Sequence, residues 1–125
     1  MASNAETAQN VMVVLTAVPG EGVGRAIGRQ LVEERIAACV SVLKNHTSIY
    51  RWEGRVCEDA GELLVIKTAG GTLSALIERL GALHPDTLPE IIALPVEQGL
   101  SAYLEWVANE VVTPPGAPGG DVGQR

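Results

Sequence analysis

The chain contains no phenylalanine, and Trp52, Trp106, Tyr50 and Tyr103 are the only aromatic side chains among its 125 residues. Its core must therefore be built from Val, Leu, Ile and Ala. No apolar run approaches the roughly 20 residues that span a bilayer, so no membrane association is expected. The first ten residues are polar and lack the basic and apolar regions of a secretory signal, which points to the cytoplasm. Basic residues are scarce and scattered: 9 Lys and Arg stand against 15 Asp and Glu, a net charge of −6. Phosphate backbones require clustered cations, so no nucleic-acid partner is expected. Cys39 and Cys57 are the only cysteines. In a reducing compartment they stay unpaired, and the absence of CxxC or HExxH spacing argues against a structural zinc site.

What is present is a sequence of alternating strands and helices. Residues 11–17 form a near-continuous apolar run of a central strand, broken by Pro19-Gly20. A helix follows over about 21–34, with Val23, Ile27 and Leu31 spaced four apart. A second strand spans about 36–43, pauses at Lys44-Asn45-His46 and resumes through Trp52. Glu53-Gly54 supplies a tight turn into a third strand over about 55–68. The connection is too short for a crossover helix, so these strands are antiparallel neighbours. An amphipathic helix over about 72–83 carries Leu73, Leu76, Ile77, Leu80 and Leu83 on one face. A loop, a fourth strand over 90–95 and a last helix over about 101–112 with Ser101 as N-cap complete the order. The domain is thus 11–112, between a flexible 1–10 and a Pro/Gly-rich disordered tail at 113–125. The order β-α-β-β-α-β plus a terminal helix predicts an α+β, ferredoxin-like split βαβ fold with an antiparallel sheet.

The strands carry more grease than this fold can hide. Leu63 and Val65 point one way while Leu64 and Ile66 point the other; Ile91 and Ala93 oppose Ile92 and Leu94; Val11, Val13 and Leu15 oppose Met12 and Val14. Two helices cover one face only, and a face left in water alternates with polar residues. The terminal helix covers part of the remainder, and other copies of the chain are expected to cover the rest.

Glycines at 20, 22, 24 and 28 sit at a strand-to-helix junction, but the dinucleotide GxGxxG pattern fails because Arg25 stands where its third glycine belongs. No GxxxxGK[ST] phosphate loop is present. His84, just beyond the second helix, reads either as a residue favourable to the helix dipole or, with Asp86 and Glu90, as a metal ligand or proton carrier. Cys39 reads as a small core residue or as a thiol for a soft metal. Lys67 is a solvated charge or a holder of an anion. Trp52 packs against a neighbouring subunit or lies exposed at the hairpin. No nucleophile–base arrangement supports an enzyme.

Several segments together resemble the divalent-cation-tolerance (CutA) family: VVLTAVP at 13–19, LVEERIAACVSV at 31–42, TSIYRWEGRV at 47–56, LLVIKT at 63–68, HP at 84–85, LPEIIALPVEQG at 88–99 and YLEWV at 103–107. The resemblance covers roughly 11–112. It implies a cytoplasmic, non-enzymatic homotrimer whose long hairpin reaches onto a neighbour, binding of Cu(II) or another divalent metal, and a role in metal tolerance. The metal candidates are His84, Cys39, Glu90 and Asp86. Some members carry a cysteine at the position of Thr16 and a histidine at that of Leu83, and the usual loop HPYEVPE reads here HPDTLPE, so any metal is expected to be held weakly. The shared architecture with PII signalling proteins implies an alternative: a small anionic effector in a cleft between subunits, held by Lys67 and Arg51, with Tyr50 and Trp52 at the same interface.

Overall fold

The computed structural model describes residues 11–112; the tails at 1–10 and 113–125 lie outside them. The elements are β1 (Val11–Val18), α1 (Val23–Glu33), β2 (Cys39–Trp52), β3 (Arg55–Ala69), a 3-10 turn (Gly70–Thr72), α2 (Leu73–Leu83), β4 (Ile92–Pro95) and α3 (Ser101–Glu110). The sheet order is β2-β3-β1-β4, and every pair is antiparallel. This is the expected ferredoxin-like arrangement. Among the described residues no helix is long and apolar enough to cross a membrane.

Several element ends differ from expectation for local reasons. The first helix begins at Val23 because Glu21 and Gly22 both hold positive φ, 65° and 99°. The second strand begins at Cys39 rather than 36, because the chain first closes α1. There Arg35 takes φ 63°, and the amides of Ile36 and Ala37 both return to the Leu31 carbonyl. The fourth strand is shortened to four residues. Ser101 is the first residue of α3 and Leu100 the cap, with no side-chain cap bond.

One face of the sheet holds the core. Val14, Val18, Leu64 and Ile66 pack beneath Ile27 and Leu31 of α1 and Leu76 and Leu80 of α2. The glycines of α1 find their purpose here. A Cβ on Gly24 would sit 2.6 Å from Glu62 Oε1 and 2.9 Å from Leu64 Cδ2, and one on Gly28 would sit 2.9 Å from Val40 Cγ1. Both are therefore sites of close helix–sheet approach. The buried Glu62 carboxylate accepts the Gly24 amide at 3.2 Å. It thus serves the N-terminal turn of a helix with no side-chain cap, where the dipole favours negative charge.

The other face is largely bare. Cross-strand register places Cys39, Lys67, Val13 and Leu94 in one row, Ser41, Val65, Leu15 and Ile92 in the next, and Leu43, Leu63 and Ala17 in a third. Helix α3 roofs only the end beyond these rows, where Leu104 and Val107 pack on Val11 and Ala38. Leu43, Ile92 and Leu94 remain about half exposed.

The hairpin of β2 and β3 extends past the helices. Trp52 pairs with Arg55, and Glu53 (φ 52°) with Gly54 (φ 81°) form the tight turn, the type I′ geometry that matches strand twist. A bulge between Leu43 and His46, with Asn45 at φ 61°, changes the parity of β2. Odd residues face the bare side before it; His46, Ser48, Tyr50 and Trp52 face that side after it.

Gly24→Ala and Gly28→Ala test the close-approach reading. Alanine is the better helix former by up to about 1 kcal/mol, yet each substitution is expected to destabilise by about 1–3 kcal/mol through overpacking. Urea unfolding would show this as a lower midpoint at unchanged slope; a raised midpoint would mean that the helix tolerates a Cβ there.

Candidate functional site

An open groove of about 900 Å³ lies between the hairpin and the loop after α2. Residues from His46 to Trp52 and Asp59 to Gly61 form one wall, Asp86 to Glu90 the other, and Ala17 to Pro19 the floor. The bulge in β2 makes this wall possible, since it turns Tyr50 and Trp52 to the same side as Asp59.

His84 holds the loop wall in place from behind. It caps α2, and its amide closes on the Leu80 carbonyl at 2.9 Å. Its side chain is buried. Nε2 lies 2.8 Å from the Ala17 carbonyl, and Nδ1 receives the Asp86 amide at 3.1 Å. A carbonyl only accepts and an amide N–H only donates, so the ring is the neutral tautomer with its proton on Nε2. Both nitrogens are thereby committed. The Asp86 carboxylate stands 4.0 Å from Nδ1.

On the hairpin wall the Tyr50 hydroxyl donates to the Asp59 carboxylate. That bond, aided by partial desolvation and by the negative neighbours Asp59, Cys57 and Asp86, pushes the phenol up to about 12. Arg51 and Trp52 line the groove and are exposed, as are Asp86 and Glu90. His46 is half-buried, with Nδ1 3.5 Å from Ser48 Oγ.

The other candidates lie elsewhere. Cys39 pairs with Lys67 at the level of Val13, while His84 reaches β1 at Ala17. That separation is about 13 Å along the strand and two strands across. Lys67 Nζ donates to Ser41 Oγ at 3.1 Å on the bare face. Burial first, then Cys39, push the Tyr103 phenol up at the same end of the sheet. Lys67 and the Arg51 partner Val56 are eleven residues apart on β3, about 36 Å of strand. One subunit therefore cannot clamp a small anion between Lys67 and Arg51. Thr16 is wholly buried, its hydroxyl without a hydrogen-bond partner among the described residues, and Leu83 packs on the core.

These positions do not fit a preformed copper site. Such a site needs several soft or imidazole donors converging on one point. The His84 lone pair is occupied, Cys39 is remote, and among the described residues no three His, Cys, Asp or Glu side chains gather to hold a metal. Asp59 was missed by the sequence reading. Counting pairs outward from the two-residue turn would have found it, since Ser48 opposes Asp59, a diagonal step from Tyr50.

Fold and groove define a small ferredoxin-like chain with an open cleft on its surface. The family model for the CutA1 divalent ion tolerance protein matches residues 12–110, and the chain belongs to that family. It is 53% identical over 95 residues to the divalent-cation tolerance protein CutA of Thermus thermophilus, covering 76% of this chain and 92% of that one. The crystal structure of CutA1 from Oryza sativa superposes with a TM-score of 0.82 at 40% identity, covering 86% of this chain and 99% of that chain. A structure named as the PII-like protein CutA from Nostoc, in apo form, superposes at 0.78 with 35% identity, covering 82% and 99%.

Absorbance titration at 295 nm tests the Tyr50–Asp59 bond. One tyrosine, removed by Tyr50→Phe, is expected to ionise near 12, and Asp59→Asn should return it toward the ordinary value near 10. Because the folded state favours the protonated phenol, its contribution to stability is complete below about pH 10 and fades as pH climbs through the folded value. A Tyr50 that ionises near 10 in the unmodified protein would refute the bond.

Proposed function

We propose that the protein is a homotrimeric, non-enzymatic binding protein of the divalent-ion response, working in the cytoplasm. The observation that carries the assembly is the bare sheet face. Its rows of Val13, Leu15, Leu63, Val65, Ile92 and Leu94 are aliphatic, and the chain's own helix α3 covers only their end. Neighbouring copies shield that face, and the hairpin, with Ile49 and Val56 about two-thirds exposed, supplies further apolar reach. The free cysteines Cys39 and Cys57 agree with a reducing compartment.

Divalent ions are held loosely in this reading. Asp86 and Glu90 offer exposed carboxylates on one wall, and His84 joins them only by giving up the bond that fixes the loop. A second reading is favoured by the groove itself: a small effector binds there, in keeping with the PII-like name of the Nostoc neighbour.

Sedimentation at micromolar concentration is expected to show three copies, and Val65→Asp to dissociate them, because a charge would enter the covered face. A monomeric unmodified chain would end the assembly proposal. For the metal, titration calorimetry with Cu(II) is expected to show weak binding that Asp86→Asn with Glu90→Gln reduces several-fold. His84→Ala should chiefly lower stability, by about 1–3 kcal/mol, since it orphans the buried bonds at Ala17 and Asp86. Tight Cu(II) binding abolished by His84→Ala, with the fold intact, would restore a histidine-centred site.

A further inference from the structure

We propose that the groove between the hairpin and the 86–90 loop binds an organic cation: an ammonium group carried on an apolar or aromatic body. This rests on the effector reading and reverses the sign of the effector that the family resemblance suggested.

Three features on the two walls converge on that chemistry. The cavity, about 900 Å³, is within the size range of small-molecule sites. Its ionised lining is unbalanced, with Asp59, Asp86 and Glu90 against the single guanidinium of Arg51, and the lysine expected to help an anion lies toward the far end of β3. Aromatic and apolar side chains stand beside them, Trp52 and Tyr50 on the hairpin wall and Leu88 on the loop, with neutral His46, Ser48 and Thr87 between. Indole and phenol rings attract a diffuse cation through their faces.

The spread of the carboxylates selects between kinds of cation. A divalent metal needs its donors gathered at about 2.0–2.6 Å around one point. Here no such gathering of three exists among the described residues; Asp59 sits on the hairpin and the other two carboxylates on the facing loop. An ammonium ion on an organic body is indifferent to that spread. It is attracted by the summed negative field, and its body covers the ring faces. The Tyr50 phenol is raised chiefly by its hydrogen bond to Asp59, and the charges of Asp59 and Asp86 add to that in the same direction. Glu90 accepts no hydrogen bond among the described residues, which leaves its full charge for a ligand.

The test uses the intact chain in its native assembly, with benzyltrimethylammonium and benzoate as probes at constant ionic strength. Trp52 fluorescence (read in a Trp106→Phe background) and calorimetry give the affinity. Saturable binding of the ammonium probe is expected, weakened about fivefold by Glu90→Gln and about threefold by Trp52→Ala, with benzoate inert. Sedimentation of each variant confirms an unchanged assembly, so a loss of binding is read at the groove. Benzoate binding in place of the ammonium would overturn the proposal while leaving an effector site standing. Ammonium binding indifferent to both substitutions would place the ligand elsewhere and overturn it too. Binding of neither probe would remove the effector reading together with this one.

Discussion

A four-stranded sheet with two helices can hide one side, and this sheet is aliphatic on two. That mismatch governs the rest of the molecule. The central strands β1 and β3 alternate apolar with apolar, so Val14 and Ile66 disappear under the helices while Leu15 and Val65 emerge beneath. At roughly 25 cal/mol for each Å² of apolar surface removed from water, covering the second side is a larger driving force than any single polar contact in the structure. Helix α3 makes a start at the Val11 end and stops. The fold is in this sense finished inside the subunit on one side and left open on the other.

The site inherits its geometry from the edge of that arrangement. The hairpin outgrows the helices, so its side chains meet the loop after α2 instead of a core. Two local devices convert this overhang into a groove. The bulge near Asn45 re-aims β2, and His84 fastens the loop to β1, its Nε2 donating to the Ala17 carbonyl and its Nδ1 accepting the Asp86 amide. A histidine used in this way is a brace. Its chemistry as a metal ligand or proton carrier is suppressed by the very contacts that make it structurally useful.

Most of the fold was legible because local signals agreed with one another. The leucine periodicity of α2, the Glu53-Gly54 turn and the alternation in β3 each named an element, and their order left one topology. The two-sided grease of the strands was equally readable, since it depends only on parity. The ends of elements were less so: Arg35 and Glu21 adopt left-handed φ, which side chains such as theirs do not advertise. The glycines of α1 looked like a failed nucleotide motif and are sites of helix–sheet approach, a distinction set by Glu62 and Val40 on other strands. Site residues fared worst. His84 and Cys39 were candidates to hold a metal with Asp86 and Glu90, and Lys67 to hold an anion with Arg51, but register separates Cys39 and Lys67 from the groove and His84 stands behind its wall. Asp59 went unnoticed because its role appears only once the hairpin pairs are counted.

The irregularity at Lys44-Asn45 has a consequence for how this chain tolerates change in length. Strand β2 is ruled by odd positions on one stretch and by even positions on the next, joined at a single hinge of register. Removing one residue there would restore perfect alternation and leave the outer pairs as they are, with Tyr50 opposite Cys57 and Trp52 opposite Arg55, because the tight turn sets that register. A change of one residue at the kink therefore spares the furrow, whereas the loss of Arg51 alone would set Tyr50 opposite Val56 and turn its phenol away from Asp59.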